Sequence, residues 1–306
     1  MATVNTAWDH VNQNIFKTWI IMFFFSIFAV GVIYIFGQAM GFGEVGGLGF
    51  LGIALILTGV MNFVSYYSSD KMVLAISGAK QIQQKDNPQI YRIVENLCIA
   101  AGLPMPKVYI LVDTAPNAFA TGRDPKHAAI CFTTGILDKL SKLELEAVTA
   151  HELSHVGNRD TLVMTVVSIL VGTIALLSDW FLRISWHSSG DRDSKNGIFM
   201  VIAIVAAILA PFVAMLIQLA VSRRREFLAD ASGSILTRNP DALAQALLKI
   251  SGDKEPLEAA NRGTAHLYII NPFKGQEAKA WLASLFNTHP PVEARIKALQ
   301  EMEGKI

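Results

Sequence analysis

Cysteine and charge are both scarce in this chain. Only two cysteines, Cys98 and Cys131, occur in 306 residues, and they lack metal-ligand spacing. A disulfide scaffold and a thiolate-bound metal are thereby excluded, and the pair reads as buried free thiols in a reducing compartment. Charged residues make up 17% of the chain and nearly cancel, to a net charge of +1, with no long basic stripe. No nucleic-acid partner is expected of such a surface. There is no low-complexity segment and no heptad, collagen-like or solenoid repeat, which excludes fibrous and solenoid architectures. The long apolar runs contain no embedded ionisable residue, Asp179 standing at an end, so the marks of an ion pathway are missing as well.

What the chain has in excess is apolar surface. A hydrophobic fraction of 52% and a mean hydropathy of +0.39 indicate a membrane protein. Four stretches approach the length of about 20 residues that a spanning helix needs: Thr18–Phe36, Gly47–Tyr67, Thr161–Trp180 and Ile198–Val221. No small-residue cleavage site follows the first, so a removable signal peptide is the weaker reading. The Gly-rich Gly37–Gly49 reads as the loop between the first two. Pro211 is expected to kink the fourth. The third and fourth could instead pack in part against the rest of the protein.

Basic residues orient these spans. If all four cross, the outer side holds Gly37–Gly46 and Phe181–Gly197, with Arg183, Arg192 and Lys195 as its only members of the 26 Lys and Arg. The positive-inside bias then puts both termini and the remaining segments in the cytoplasm. Should spans three and four fail together, those segments still share one side.

The chemistry is concentrated in His151-Glu152-Leu153-Ser154-His155. The surrounding Leu143–Asn158 consists of good helix formers with an apolar period. Residues four apart share a helix face, so both imidazoles can reach one cation, while Glu152 is placed to take a proton from a water on it. A catalytic zinc needs a third protein ligand. Glu226 in Arg223-Arg-Arg-Glu-Phe-Leu-Ala-Asp230 is the candidate, and Asp230, one turn on, is spaced to accept the far ring nitrogen of a ligating histidine. Alone, that segment would read as a solvated charged face. Beside an HExxH helix it reads as a metal-binding one. Mixed imidazole and carboxylate ligands suit Zn²⁺, one per chain, with Mn²⁺, Co²⁺ and Fe²⁺ left open.

HELSH followed by Asn158 and Asp160, then EFLAD, with NAFATG at Asn117–Gly122 and HPP at His289–Pro291, resembles the HtpX family over essentially the whole chain. That family comprises bacterial and archaeal membrane zinc endopeptidases related to the type I CAAX prenyl proteases. The resemblance implies cleavage of membrane proteins in quality control and envelope stress, a multi-pass place in the bacterial inner membrane, a supporting role for Asn158 near the metal, and an edge strand along the cleft at Asn117, Ala118, Phe119 and Ala120. A strand edge can hold an extended substrate through main-chain hydrogen bonds. The competing reading of that segment is an ordinary hairpin strand covered by the fold.

The expected fold is a mostly α membrane protein: four transmembrane helices plus an α+β zincin-like domain with a small β-sheet. Residues 1–67 form a transmembrane hairpin, 68–160 and 222–306 the two parts of the catalytic domain, and 161–221 a second transmembrane pair. Helices are predicted at Pro88–Ala101, Lys142–Asn158, Met215–Leu236, Pro240–Ser251 and Pro291–Glu303. Strands are predicted at Lys107–Val112, Ala118–Ala120 and His127–Thr133, the last two as a hairpin. His289, held by Pro290-Pro291, is a candidate donor to the oxyanion of peptide hydrolysis, with Arg295 orienting it or adding a second donor. The bland reading is a Pro-Pro helix start with a capping histidine. His10, His127, His187 and His266 are expected to be surface or satisfied residues.

The reaction expected is metal-assisted peptide hydrolysis, with Glu152 as base and then acid. Membrane proteins are the expected substrates, and the lipid bilayer the other partner. A transporter with a regulatory metal site is disfavoured by the clean apolar runs. A silent scaffold is disfavoured by Glu152, which a structural metal pair does not need.

Overall fold

The structure is a computed structural model, and it describes residues 7–39, 43–187, 216, 223–261, 263–273 and 290–305. Its elements are α1 (Ala7–Ala39), α2 (Gly43–Ile76), β1 (Lys80–Gln81), α3 (Pro88–Ala101), β2 (Lys107–Leu111), β3 (Ala118–Thr121) and β4 (Ala129–Thr133). These are followed by α4 (Thr134–Lys139), α5 (Lys142–Gly157), α6 (Asp160–His187), α7 (Arg223–Thr237), α8 (Pro240–Gly252) and α9 (Val292–Met302).

α1 and α2 form an antiparallel hairpin. Trp19 stacks on Tyr66 at 5.6 Å, and Asn62 Nδ2 donates to Ser26 Oγ at 2.6 Å and to Met22 O at 3.3 Å. The expected Gly37–Gly49 loop is shorter than its composition implies, because Gly43 to Gly49 already belong to α2. Glycine is more frequent in membrane helices than in soluble ones, so the Gly-rich sequence does not bar a helix there. Both helices leave large apolar side chains exposed, among them Phe16, Trp19, Phe23, Phe24 and Ile27 on α1 and Ile53, Ile56, Leu57, Val60 and Phe63 on α2. A contiguous apolar face of this extent fits a bilayer and not water. Among the described residues, Val11–Gly31 is long and apolar enough to cross a membrane.

The expected third span lies in α6, yet its first half is an interior helix. Leu162, Val163, Val166, Val167 and Leu170 are fully buried against Ile21, Met22 and Phe25 of α1. Over its described side chains, Asp160–Ile174, the helix is apolar, and its backbone continues to His187. The expected fourth span, Ile198–Val221, lies outside the described residues apart from Leu216, which is buried in the same cluster.

Four strands form a mixed sheet in the order β1-β2-β4-β3. β3 and β4 are the expected hairpin, antiparallel with Ala118 opposite Phe132, while β2 runs parallel to β4 with Lys107 opposite Ala129. Gly122 adopts φ +129° in the β3–β4 connection, a conformation that L side chains rarely take. Ile130 and Phe132 of β4 point into a core with Val94 of α3, Val148 of α5 and Leu243 and Leu247 of α8. The alternate residues Ala129 and Cys131 pack on the other side with Phe119, Tyr268 and Val73. Burial of both faces explains why this strand reads as an unbroken apolar run. α3 begins at the Asn87 cap, whose side chain accepts from Ile90 N at 3.2 Å, and ends at Gly102. The described residues are mostly helical with one small sheet.

Candidate metal centre

α5 carries the HExxH residues and is pinned at both ends. Ser141 and Glu144 make a capping box, Ser141 N donating to Glu144 Oε2 at 2.7 Å, and Lys249 of α8 donates to the same carboxylate at 2.8 Å. After Asn158 the chain turns through Arg159 at φ +59°, in the left-handed region that a side chain enters at some cost. The turn brings Asp160 back against α5, where its Oδ2 lies 3.0 Å from His155 Nδ1.

α7 is packed against α5 at closest range where it has no side chain. A Cβ on Gly233 would lie 2.9 Å from His151 N and 3.1 Å from His151 Cα. This close approach seats Glu226 and Asp230 on the metal-facing side. His151 Nε2 and His155 Nε2 are 3.2 Å apart, Glu226 Oε2 is 3.8 Å from the first and Glu226 Oε1 3.6 Å from the second. One ligand atom from each of the three lies within 4.8 Å of the others. His151, Glu152, His155, Glu226, Asp230 and Arg295 are each no more than 3% exposed.

These residues fit a divalent cation. His151 Nδ1 contacts Asp230 Oδ1 at 2.9 Å and His155 Nδ1 faces Asp160, so the ring protons belong on Nδ1 and both Nε2 atoms are acceptors. With both Nε2 atoms as acceptors 3.2 Å apart, a cation held between them would relieve their repulsion. Four buried carboxylates, those of Glu152, Asp160, Glu226 and Asp230, face two guanidiniums, those of Arg225 and Arg295. With neutral imidazoles and Glu152 ionised, these four carboxyls and two guanidiniums leave a deficit of positive charge. His155 registers that deficit with a pKa raised to about 9: burial alone would lower it, but the Asp160 hydrogen bond and the charges of Glu226 and Glu152 prevail. His151 is lowered, chiefly by burial.

Glu152 stands beside the three. Burial raises its carboxyl to about 7, with Glu226 adding to the rise, while His155, the Ala120 N–H that donates to it and Arg295 oppose it. β3 is the edge strand over α5, as the sequence suggested, yet its outward groups have partners: Ala120 N–H meets Glu152, and Ala118 O accepts from Ile269 N at 3.1 Å. Asn117 is directed elsewhere, its Nδ2 donating to Ile270 O at 3.0 Å. The Phe119 ring meets Tyr268 edge-on at 5.1 Å.

At the end of α5 it is Asp160 that meets His155, while Asn158 ends the helix and offers its carbonyl to Asn14 Nδ2 at 2.9 Å. Arg295 does not stand at an open cleft. It is 1% exposed and forks onto Asp230, with Nε 2.8 Å from Oδ2 and Nη2 2.6 Å from Oδ1. Nη1 donates to Ile269 O at 2.9 Å and lies 3.5 Å from Glu226. Its contacts are those of a side chain that holds Asp230 in place. His289 lies outside the described residues. Of the remaining histidines, His266 is buried with Nε2 3.1 Å from Met164 O, and His127 pairs with Asp124.

An HExxH helix facing a carboxylate-bearing helix, beneath a sheet edge, is an arrangement suited to a metallopeptidase. The chain belongs to Peptidase family M48, whose sequence model matches residues 84–303. Among curated proteins it is 43% identical to a protease HtpX homolog of Dictyoglomus thermophilum, over 97% of this chain and 95% of that protein. It is 48% identical to one of Syntrophobacter fumaroxidans over 85% and 92%, and 42% identical to one of Pyrococcus furiosus over 94% and 95%. Among solved structures, Ste24p of S. mikatae shares the fold with a TM-score of 0.50 at 20% identity. The match covers 92% of this chain and 66% of that longer one.

Proposed function

We propose that the protein is a membrane-anchored zinc endopeptidase of the HExxH-plus-glutamate type that cuts membrane proteins on the cytoplasmic side. The observation that carries this reading is the convergence of His151, His155 and Glu226 beside a buried Glu152. Zn²⁺ held by those three residues would acidify a water and polarise the scissile carbonyl. Glu152, with its carboxyl near neutrality, takes a proton as the carbonyl is attacked and returns one to the leaving amine. Asp230 and Asp160 fix the two imidazoles, and Arg295 fixes Asp230. β3 offers a main-chain edge, and an extended substrate laid beside it competes with Ile269 for Ala118 O. His289, next to the buried Pro290, is the candidate for a further donor.

Cytoplasmic cleavage is supported by the scarcity of Lys and Arg in the segments expected outside, three of 26. Crossing by four helices is part of the proposal, supported by the apolar faces of α1 and α2. The place in quality control and stress response rests on likeness to the HtpX proteases alone. The test is cleavage of a membrane protein by the full chain in lipid nanodiscs. A chelator should abolish it, stoichiometric Zn²⁺ should restore it, and the cut bonds should map to loops on the cytoplasmic side. Chelator-insensitive cleavage would refute the metal reading, and cuts confined to the opposite side would refute the topology.

A further inference from the structure

A cavity of about 500 Å³ lies between α1 and α7, lined by Gln13, Asn14 and Lys17 on one side, Arg224 and Arg225 on the other, and reached by Asp160 from within. Among its described lining residues cations outnumber carboxylates. Three cations face Asp160, the one carboxylate among the described lining residues, and both oxygens of that carboxylate are engaged. Oδ2 meets His155 Nδ1 at 3.0 Å, while Oδ1 accepts from Asn14 Nδ2 at 2.8 Å and lies 3.4 Å from Arg225 Nη1. A part-enclosed cavity whose described lining carries surplus positive charge, with the exposed Gln13 amide beside it, favours an anion, and a phosphate accepts from several such donors at once.

Its depth along α1 indicates which anion. Beyond Lys17 come the stacked pair Trp19–Tyr66 and Tyr67 under the Arg123 guanidinium, then the exposed apolar residues Phe23, Phe24 and Ile27. Cations, then an aromatic belt, then apolar surface is the order met on entering a bilayer, and it puts the cavity at headgroup level. Phe227 and Leu228 give the cavity an apolar wall suited to a glycerol backbone.

We propose that this cavity binds the phosphate group of an anionic phospholipid, with Lys17, Arg224 and Arg225 as its cationic partners. Asp160 both lines the cavity and holds His155, so an occupant sits one side chain away from the metal-binding imidazole. The proposal depends on insertion in a bilayer but not on peptidase activity.

The test is thermal unfolding of the full chain in neutral detergent with three probes at equal concentration: short-chain phosphatidylglycerol, phosphatidylcholine with the same tails, and inorganic phosphate. Phosphatidylglycerol should raise the midpoint by roughly 5 °C near saturation, and phosphatidylcholine by under about 1 °C. The shift should vanish in Lys17→Gln/Arg224→Gln, both exposed positions, and persist in the charge-conserving Lys17→Arg/Arg224→Lys. An equal shift with phosphatidylcholine, or an undiminished one in the Gln variant, would overturn the site. A full shift with inorganic phosphate alone would overturn its assignment to lipid.

Discussion

Gly233→Ala should loosen the metal centre from outside it. The added Cβ would stand 2.9 Å from His151 N, 3.1 Å from His151 Cα and 3.2 Å from Ala150 C, all backbone atoms that cannot rotate away. Carbon contacts settle near 3.5–4.0 Å, so α7 must withdraw from α5 by roughly 0.5–1 Å. His151 and His155 ride on α5 and Glu226 rides on α7, so the ligand set widens by a comparable amount. Metal–ligand distances tolerate about 0.2 Å. The overpacking should cost about 1–3 kcal/mol of stability, and zinc affinity should fall on the order of 10–100-fold, as when a supporting residue is lost. Competition with a fluorescent chelator measures the affinity and thermal unfolding the stability. Gly252→Ala, whose Cβ would meet nothing within 4 Å, is the control and should change neither. Wild-type zinc affinity in Gly233→Ala would refute the claim that the α5–α7 contact sets the spacing of the ligands.

Arg295→Met should cost about 3–5 kcal/mol, because it strands the buried Asp230 carboxylate. Adding Asp230→Asn removes the stranded charge but keeps an acceptor for His151, so the double variant should recover a large part of the loss. Thermal unfolding of wild type and both variants checks this, and a double variant no more stable than Arg295→Met would contradict it. Asp160→Asn should lower zinc affinity by roughly 10–100-fold without abolishing binding, measured by the same chelator competition, because His155 loses its charged partner.

The approach of His151, His155 and Glu226 is legible because its main signal is local. A four-residue spacing on one helix needs no tertiary information, and the Glu226–Asp230 spacing repeats that logic on α7. Asp160 was harder to assign, since its contact with His155 depends on the left-handed turn at Arg159, which no apolar period announces. A carboxylate five residues after the second histidine was nonetheless a visible clue. Arg295 could not be paired with Asp230 from sequence, as the two are 65 positions apart and meet only through packing. In the sheet, the hairpin was readable from its turn residues, whereas the parallel pairing of β2 with β4 depends on how the chain wraps around it. α4 follows β4 without a break, so HAAICFTTG offered a strand and hid a helix start. The apolar runs were legible as composition, but whether such a run faces lipid or, like Leu162 to Leu170, the protein interior is decided by its neighbours.

The most direct test of the account is zinc stoichiometry and peptide turnover measured together on wild type, Glu152→Gln and Glu226→Ala. A base beside the metal and a ligand of the metal must fail differently. Glu152→Gln should keep about one zinc per chain with turnover reduced at least a thousandfold, on the order expected of a general base, while Glu226→Ala should lose both. Turnover surviving in Glu152→Gln, or full zinc retained by Glu226→Ala, would contradict it.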